Sequence, residues 1–264
     1  MTGLESDKVE KALPYCSRLM VKHALSMMLL SLLILSLIGC MPQFNGQTST
    51  NSSATKQPTP DGKLTYVAMG ASDTFGIGTN DPYHENWATD LAAKLGPKYR
   101  LINLGIPDIQ LHDALTRELP VALDARPDVV TIWLAVNDII ANVPVTTYSQ
   151  DLDMLLSRLQ STVPHARIVV ANVPDLTLLP YFYKNKNAAF DLKALQVQIF
   201  AYNTTIASIV TQHHAILIDL SQQQYDLQHH PEYISEDGLH PTALGYAKLA
   251  ELFYQAMQQK ESSP

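Results

Sequence analysis

Short apolar runs alternate with longer stretches of helical periodicity from residue 64 towards the end of the chain. Five runs have the length and apolar content of buried strands, namely residues 64–69, 101–104, 129–134, 168–171 and 216–220. Helical periodicity lies between or after them, over residues 87–95, 109–119, 148–162, 188–212 and 243–258. This alternation predicts βαβ units, and hence a single α/β domain with a parallel sheet.

These elements predict a three-layer α/β/α fold with five parallel strands, and we take the flavodoxin-like order 2-1-3-4-5 as the common doubly wound arrangement for such a sheet. In that order, strands 2, 1 and 3 are neighbours about 4.8 Å apart. Ligands of open α/β sheets bind beyond the carboxyl ends of the strands. Side chains that directly follow these three strands are therefore the first candidates for chemistry.

Residues 1–39 have the pattern of an export signal, because several basic residues precede an uncharged apolar stretch at residues 24–38. A membrane-spanning helix needs about 20 apolar residues and a signal core about 7 to 15, so the length of the stretch favours a signal. Its end, Leu37-Ile38-Gly39 before Cys40, resembles a bacterial lipobox. That resemblance implies cleavage before Cys40 and lipidation of its thiol. The alternative is an uncleaved anchor helix that contains a cysteine by chance.

Residues 40–62 are dominated by Thr, Ser, Gln, Asn, Pro and Gly, which is typical of a flexible linker because such a segment cannot bury enough apolar surface to fold. We therefore expect a folded domain at residues 63–264. Acyl chains on Cys40 would hold it on the extracytoplasmic side of a membrane.

Composition narrows the function classes further. The chain has 264 residues, of which 46% are hydrophobic and 16% charged, as in ordinary globular proteins and unlike disordered chains. A formal charge of -7 disfavours a nucleic-acid partner. Cys16 and Cys40 are the two cysteines of the sequence, which excludes a disulfide scaffold.

Small polar residues follow each of the first three predicted strands. Ser72 stands in Gly70-Ala71-Ser72-Asp73-Thr74 after the first strand, Gly105 follows the second, and Asn137 follows the third. Each of these alone is typical of a turn or a helix cap. Together they place a hydroxyl, a glycine amide and a side-chain amide at one edge of the sheet.

A fourth candidate, Asp237-Gly238-Leu239-His240-Pro241, precedes the last predicted helix. An Asp three residues before a His can accept the Nδ1–H of the ring, which leaves Nε2 free to act as a base towards a serine. The structural alternative is a helix start with Pro241 in the first turn. The loop at residues 221–236 is long enough to bring His240 to the centre of the sheet, since 16 extended residues span about 50 Å.

Taken together, these four sites resemble the SGNH (GDSL-type) hydrolase family, in the family's order and over about residues 64–258. The resemblance implies a serine hydrolase of ester bonds, of the carboxylesterase, lipase or lysophospholipase class, that needs no cofactor or metal. It further implies Ser72, His240 and Asp237 as the catalytic triad, and Ser72, Gly105 and Asn137 as the oxyanion hole. The substrate would be a small ester or an acylated lipid or sugar.

The sequence departs from the family pattern at two positions. Ala71 stands where the family often has Asp, and Ala135 where it often has Gly. Neither is a catalytic position, so the departures put the substrate class in doubt more than the reaction type.

The loop after the fourth strand carries an apolar patch that either shapes a substrate pocket or packs locally in the core. Phe75 and Ile77, just after Ser72, present the same two alternatives. We take Phe75, Ile77, Leu178, Tyr181 and Phe182 as candidate pocket residues.

Two competing interpretations remain at this point, and two others are disfavoured. A lipid-anchored acyltransferase would use the same acyl-enzyme with another acceptor, and a non-catalytic glycan-binding module would keep the fold without turnover. An α/β-hydrolase is disfavoured because Ser72 is not in a Gly-x-Ser-x-Gly elbow. A metal site at the histidine pairs 213–214 and 229–230 is disfavoured because no further ligand stands at a familiar spacing.

Overall fold

The structure is a computed structural model that describes residues 62–184 and 190–261. The predicted export signal, the lipidation of Cys40 and most of the predicted linker lie outside the described residues, as does the beginning of the helix predicted at residue 188.

Five parallel strands form a single sheet in the order β2-β1-β3-β4-β5. The strands are β1 (Leu64–Gly70), β2 (Tyr99–Asn103), β3 (Val129–Trp133), β4 (Arg167–Ala171) and β5 (Ile216–Ile218). This sheet confirms the predicted fold class and strand order. The strand boundaries differ from the predicted ones by one or two residues.

Ten α-helices lie in the parts of the chain that the structure describes. They are α1 (Ser72–Phe75), α2 (Trp87–Leu95), α3 (Leu111–Arg117), α4 (Leu119–Asp124), α5 (Val136–Ile140), α6 (Val145–Thr162), α7 (Pro180–Lys184), α8 (Leu192–Gln212), α9 (Gln224–His229) and α10 (Ala243–Glu261). Short 3-10 turns occur at Leu176–Leu178, Leu220–Gln222 and Pro231–Tyr233. In this same part of the chain, none of the helices combines the length and apolar character needed to cross a bilayer.

The helix predicted at residues 109–119 corresponds to α3, which begins two residues later and ends two residues earlier, and the short helix α4 that follows it was not predicted. Pro120 occupies the first turn of α4. Proline lacks the backbone N–H that a continuing helix requires, and it suits the first turn of a new one. The break therefore falls where the sequence removes a helical hydrogen bond.

Two apolar cores lie on the two faces of the sheet. Alternate residues of β1 point to opposite faces, so that Val67 belongs to the core packed against α6 and α8, and Tyr66 to the core packed against α2 and α10. In the second core the Trp87 and Phe253 rings stack with centroids 4.3 Å apart. The carboxyl edge of the sheet lies between these two helical layers.

Candidate active site

Ser72 lies at the carboxyl edge of the sheet because β1 ends at Gly70 and α1 begins at Ser72. It is the first residue of α1, so its backbone N–H has no partner within the helix. The amides of Thr74 and Phe75 both donate to the Ala71 carbonyl, which closes a tight turn around the serine. The turn places Ser72 directly beyond the carboxyl end of β1.

His240 and Asp237 meet Ser72 at hydrogen-bond distance. The His240 Nε2 is 2.9 Å from the Ser72 Oγ, and the His240 Nδ1 is 2.6 Å from the Asp237 Oδ2. The imidazole is largely covered, with 15% of its side chain exposed. The ring therefore bridges a hydroxyl and a carboxylate, which is the arrangement that activates a serine nucleophile.

The carboxylate of Asp237 is held in its ionised form. Burial by itself would raise its pKa, but hydrogen bonds from the backbone N–H of Leu239 and from the ring and N–H of His240 outweigh this and lower the pKa to about 2. An ionised Asp237 keeps the proton of the neutral imidazole on Nδ1, so that Nε2 is free to accept the proton of Ser72.

The loop between β5 and α10 is anchored where it returns to the sheet. The Ser235 N–H donates to the His240 carbonyl over 2.8 Å, and the Thr242 N–H donates to the Tyr233 carbonyl over 2.8 Å. Gly78 follows the turn that carries Ser72. Its φ is +100°, and a Cβ there would lie 2.9 Å from the His240 Cβ. The turn that carries Ser72 and the loop that carries His240 therefore pack in direct contact.

Gly105 lies against the backbone of α1. A Cβ at this position would meet the Phe75 N at 2.4 Å, so only glycine allows the approach. Its N–H donates to the Asn103 Oδ1 over 2.9 Å, and the Asn103 Nδ2 donates to the Thr74 carbonyl over 2.7 Å. The Asn103 side chain thus links Gly105 by hydrogen bonds to the turn that carries Ser72.

Asn137 and Asp138 hold the segment that follows Gly105. The Asn137 Nδ2 donates to the Ile109 carbonyl over 2.9 Å, and both carboxylate oxygens of Asp138 accept from the Leu111 N–H at 3.2 and 3.3 Å. A side-chain amide has two N–H donors, so one remains available on Asn137. Burial raises the pKa of Asp138 to about 6, which the hydrogen bond from Leu111 partly opposes.

Asp73 is a site residue that sequence reasoning did not single out. It lines the same cavity as Ser72 and His240. Burial raises its pKa to about 6; the nearby His240 lowers it, and the nearby Asp237 raises it. Its position directly after the candidate Ser72 was the sequence signal that could have identified it.

A cavity of about 90 Å³, which we call the Ser72 cavity, opens beside Ser72. Ser72, Asn137 and His240 lie in its wall, which is otherwise mostly apolar. Leu176 and Leu179, from the apolar patch after β4, also line it. Much of the remaining wall comes from residues of β3, α9 and α10 and of the loop after β5, which sequence reasoning did not connect with a pocket.

The five candidate pocket residues lie elsewhere. Leu178 and Tyr181 line a separate, more open cavity that also contains Asp237. Phe182 is 2% exposed and packs in the core against Phe190, since an aromatic side chain gains more from full burial than from a pocket wall. Phe75 contacts the Tyr83 ring with centroids 5.5 Å apart, and the Ile77 carbonyl accepts from the Tyr246 hydroxyl. None of the five lines the Ser72 cavity.

The histidine pairs are engaged in other contacts. His213 lies 2.8 Å from both Asp153 and Gln160, and His230 lies 2.8 Å from Glu232 and stacks on Tyr233. Within residues 62–184 and 190–261 no group of three or more His, Cys, Asp or Glu side chains is arranged to hold a metal ion.

Comparison with known proteins gives one match by sequence family and several by fold. A model of the GDSL-like lipase/acylhydrolase family matches residues 68–248. A lipase/acylhydrolase from Enterococcus faecalis superposes with a TM-score of 0.60 at 20% identity, covering 75% of this chain and 96% of its own. A family 3 carbohydrate esterase from Clostridium thermocellum superposes with a TM-score of 0.58 at 20% identity, covering 75% of this chain and 96% of its own.

No curated protein matches the chain by sequence. The two structures support the fold, and the family model covers well over half of the residues, including the strand ends that carry Ser72, Gly105 and Asn137 and the segment that carries His240. The chain belongs to the GDSL-like lipase/acylhydrolase family and is a hydrolase of that family.

Proposed function

We propose that this protein hydrolyses carboxylic esters through an acyl-enzyme on Ser72. The observation that carries the proposal is the hydrogen-bonded chain from the Ser72 Oγ to the His240 Nε2, and from the His240 Nδ1 to Asp237, at 2.9 and 2.6 Å. In this hydrogen-bonded arrangement the His240 Nε2 is in place to accept the Ser72 proton, which makes the serine oxygen a nucleophile.

In the first half of the reaction His240 takes the proton of Ser72 while the Oγ attacks the ester carbonyl. The tetrahedral intermediate then collapses, its carbon–oxygen bond to the alcohol breaks, and His240 returns the proton to the departing alcohol oxygen. In the second half a water molecule, deprotonated by His240, attacks the acyl-enzyme. The products are the carboxylic acid and the regenerated Ser72 hydroxyl.

The negative charge of the tetrahedral intermediate would be bound by three donors: the Ser72 N–H, the Gly105 N–H and the second N–H of the Asn137 amide. The Gly105 amide now bonds the Asn103 side chain at 2.9 Å, so it exchanges this partner for the oxyanion. Asp237 stays ionised throughout and stabilises the imidazolium.

The proposed substrates are carboxylic esters, in which the acylated molecule is a small compound, a lipid or a sugar. The family supports ester chemistry in general. Transfer of the acyl group to another hydroxyl would use the same acyl-enzyme, and product analysis with and without an added alcohol distinguishes the two.

The test of the proposal is hydrolysis of p-nitrophenyl esters by the full chain and by Ser72→Ala. We expect the variant to lose at least about 10,000-fold in kcat, as removal of a serine nucleophile does in other hydrolases. Ser161→Ala is a matched control, because this exposed serine lies in the last turn of α6, donates to the Arg158 carbonyl and does not line the Ser72 cavity. Unchanged turnover in Ser72→Ala contradicts the proposal, and no turnover in the wild type favours a binding module.

We also propose that residues 1–39 direct export, that Cys40 carries the lipid anchor, and that residues 40–62 tether the domain at residues 63–264. The support is the apolar stretch that ends at Cys40, together with the polar composition after it. Mass spectrometry of the mature N-terminus tests this proposal. A chain that begins at an acylated Cys40 supports it, and an unmodified Cys40 contradicts it.

A further inference from the structure

The Ser72 cavity has an apolar interior that begins at the reacting groups. On the sheet side its wall contains Trp133 at the end of β3 and Leu220 after β5, which are 5% and 1% exposed. On the helix side it contains Leu249 and Leu252 of α10. Because these two leucines are three residues apart, they lie on the same face of the helix.

The cavity wall has charged side chains in two places. Some lie beside Ser72 and His240, and the others form a single ion pair. Lys248 lies 2.9 Å from Asp226, with 36% and 21% of the two side chains exposed. This pair joins α9 to α10 across the part of the wall that reaches the surface. The helices that line the apolar interior are therefore joined to each other at the rim of the cavity.

An ester presents two groups to such a site, and only one of them suits an apolar cavity. The acyl group stays covalently attached to Ser72 until water arrives, whereas the alcohol must leave and be replaced by that water. A buried apolar space gains free energy from a hydrocarbon chain and loses it from an unpaired hydroxyl or water. The acyl chain is thus the better occupant.

The volume of the cavity sets the length of chain that it holds. A dry protein cavity of about 150 Å³ binds benzene, which corresponds to about 25 Å³ per carbon. At that ratio the 90 Å³ of the Ser72 cavity holds three to four carbons beyond the carbonyl. We infer, on the basis of the proposed ester hydrolysis, that the Ser72 cavity binds the acyl chain and restricts the enzyme to short linear acyl groups, with butanoyl or pentanoyl preferred.

The first experiment measures kcat/KM of the full chain on p-nitrophenyl esters from acetyl to dodecanoyl, below the concentration at which the longer esters form micelles. Each methylene that enters the cavity raises kcat/KM by up to about fourfold. The kcat/KM of the butanoyl ester is therefore expected to exceed that of the acetyl ester by about tenfold. Octanoyl and longer esters are expected to fall at least tenfold below butanoyl. An optimum at octanoyl or longer overturns the inference.

The second experiment changes the wall. Leu252→Ala removes three carbons, which at the same ratio adds about 75 Å³ and moves the optimum to about heptanoyl. Leu244→Ala is the matched control, because Leu244 is on the same helix, is 61% exposed and does not line the cavity. Leu252→Phe is the opposite change and is expected to move the optimum to acetyl. An optimum that stays in place in folded forms of both Leu252 variants contradicts the inference.

A third measurement decides which side of the ester the cavity binds. Ethyl butanoate and butyl acetate are isomers of the same composition, so their overall hydrophobicity is similar while the longer chain lies on opposite sides of the ester bond. We expect ethyl butanoate to be cleaved about tenfold faster, since only its acyl group fills the cavity. Faster cleavage of butyl acetate overturns the inference yet leaves the esterase proposal standing. Failure to cleave any ester in all three experiments refutes the esterase proposal itself.

Discussion

Glu118 offers a sharp test of how burial controls the stability of this domain. It lies between α3 and α4, is 1% exposed, and neither of its carboxyl oxygens has a hydrogen-bond partner among the described residues. Burial raises its pKa to about 8, and the nearby Gly70 backbone and Arg117 oppose this only in part. The folded protein therefore keeps a proton on Glu118 that the unfolded chain releases near pH 4.5.

The sign and size of the effect follow from this difference. Above about pH 4.5 the unfolded state binds fewer protons than the native state, so stability falls as the pH rises to about 8. One pKa unit corresponds to about 1.4 kcal/mol, so the carboxyl costs about 3 kcal/mol at pH 7 and under about 1 kcal/mol at pH 5. Glu118→Gln keeps the shape of the protonated acid and cannot ionise. It should stabilise the domain by about 3 kcal/mol at pH 7.

The assay is urea unfolding at pH 5, 7 and 8, with wild type and Glu118→Gln measured side by side. Glu236→Gln is the matched control, because Glu236 is exposed and the same substitution there removes a charge without relieving burial. We expect the two stability curves to converge at pH 5 and to separate steadily above it. Parallel curves over this range would show that Glu118 is not held protonated in the folded protein.

Four further substitutions test the site and the core. Asp73→Asn replaces a carboxyl whose pKa is raised to about 6 by burial with a group that cannot ionise, so the variant should lose the fall in stability that the wild type shows between about pH 4 and 6 in urea unfolding; an unchanged pH dependence contradicts this. Asn137→Ala removes a proposed oxyanion donor and should lower kcat about 100- to 1,000-fold in steady-state assays. Gly105→Ala forces a Cβ within 2.4 Å of the Phe75 N and should abolish turnover while circular dichroism shows a folded sheet. Trp87→Ala empties a fully buried site that stacks on Phe253 and should cost about 3 to 5 kcal/mol in urea unfolding.

Much of the fold could be predicted because the local signals agree with the final packing. The helix predicted at residues 87–95 has the observed bounds of α2, since Asn86 caps its start through the Thr89 N–H and Gly96 ends it. The buried strands are continuous apolar runs, and the observed strand order is the common doubly wound order that we take for a five-stranded parallel sheet. The predicted helix ended next to Pro120, but the new helix α4 that Pro120 starts was missed.

The site was predictable to the extent that it depends on strand ends. Ser72 and Asn137 follow neighbouring strands, so their proximity is a property of the sheet. The interior of the Ser72 cavity was not predictable, because α10 has apolar residues on its buried side whether they face a core or a cavity. Nothing in the sequence distinguishes Leu252, which lines the cavity, from Phe253, which is fully buried in the core.

Asn103 is a further feature that sequence could not reveal. Its side chain accepts from Gly105 and donates to the Thr74 carbonyl, so one amide joins two segments of the site. An asparagine at the end of a strand is typical of a turn. Its contacts depend on a neighbour 29 residues away and appear only once the strands are paired.

The contact between Ser72 and His240 joins positions 168 residues apart. During synthesis the turn that carries Ser72 leaves the ribosome long before His240 does, so no early folding intermediate can contain this contact. Under the proposed mechanism, the chain therefore cannot turn over an ester until its final segment has been made and has docked on the sheet. For a hydrolase that would pass through a cell rich in ester bonds, this late completion delays the first turnover until the whole domain has been assembled.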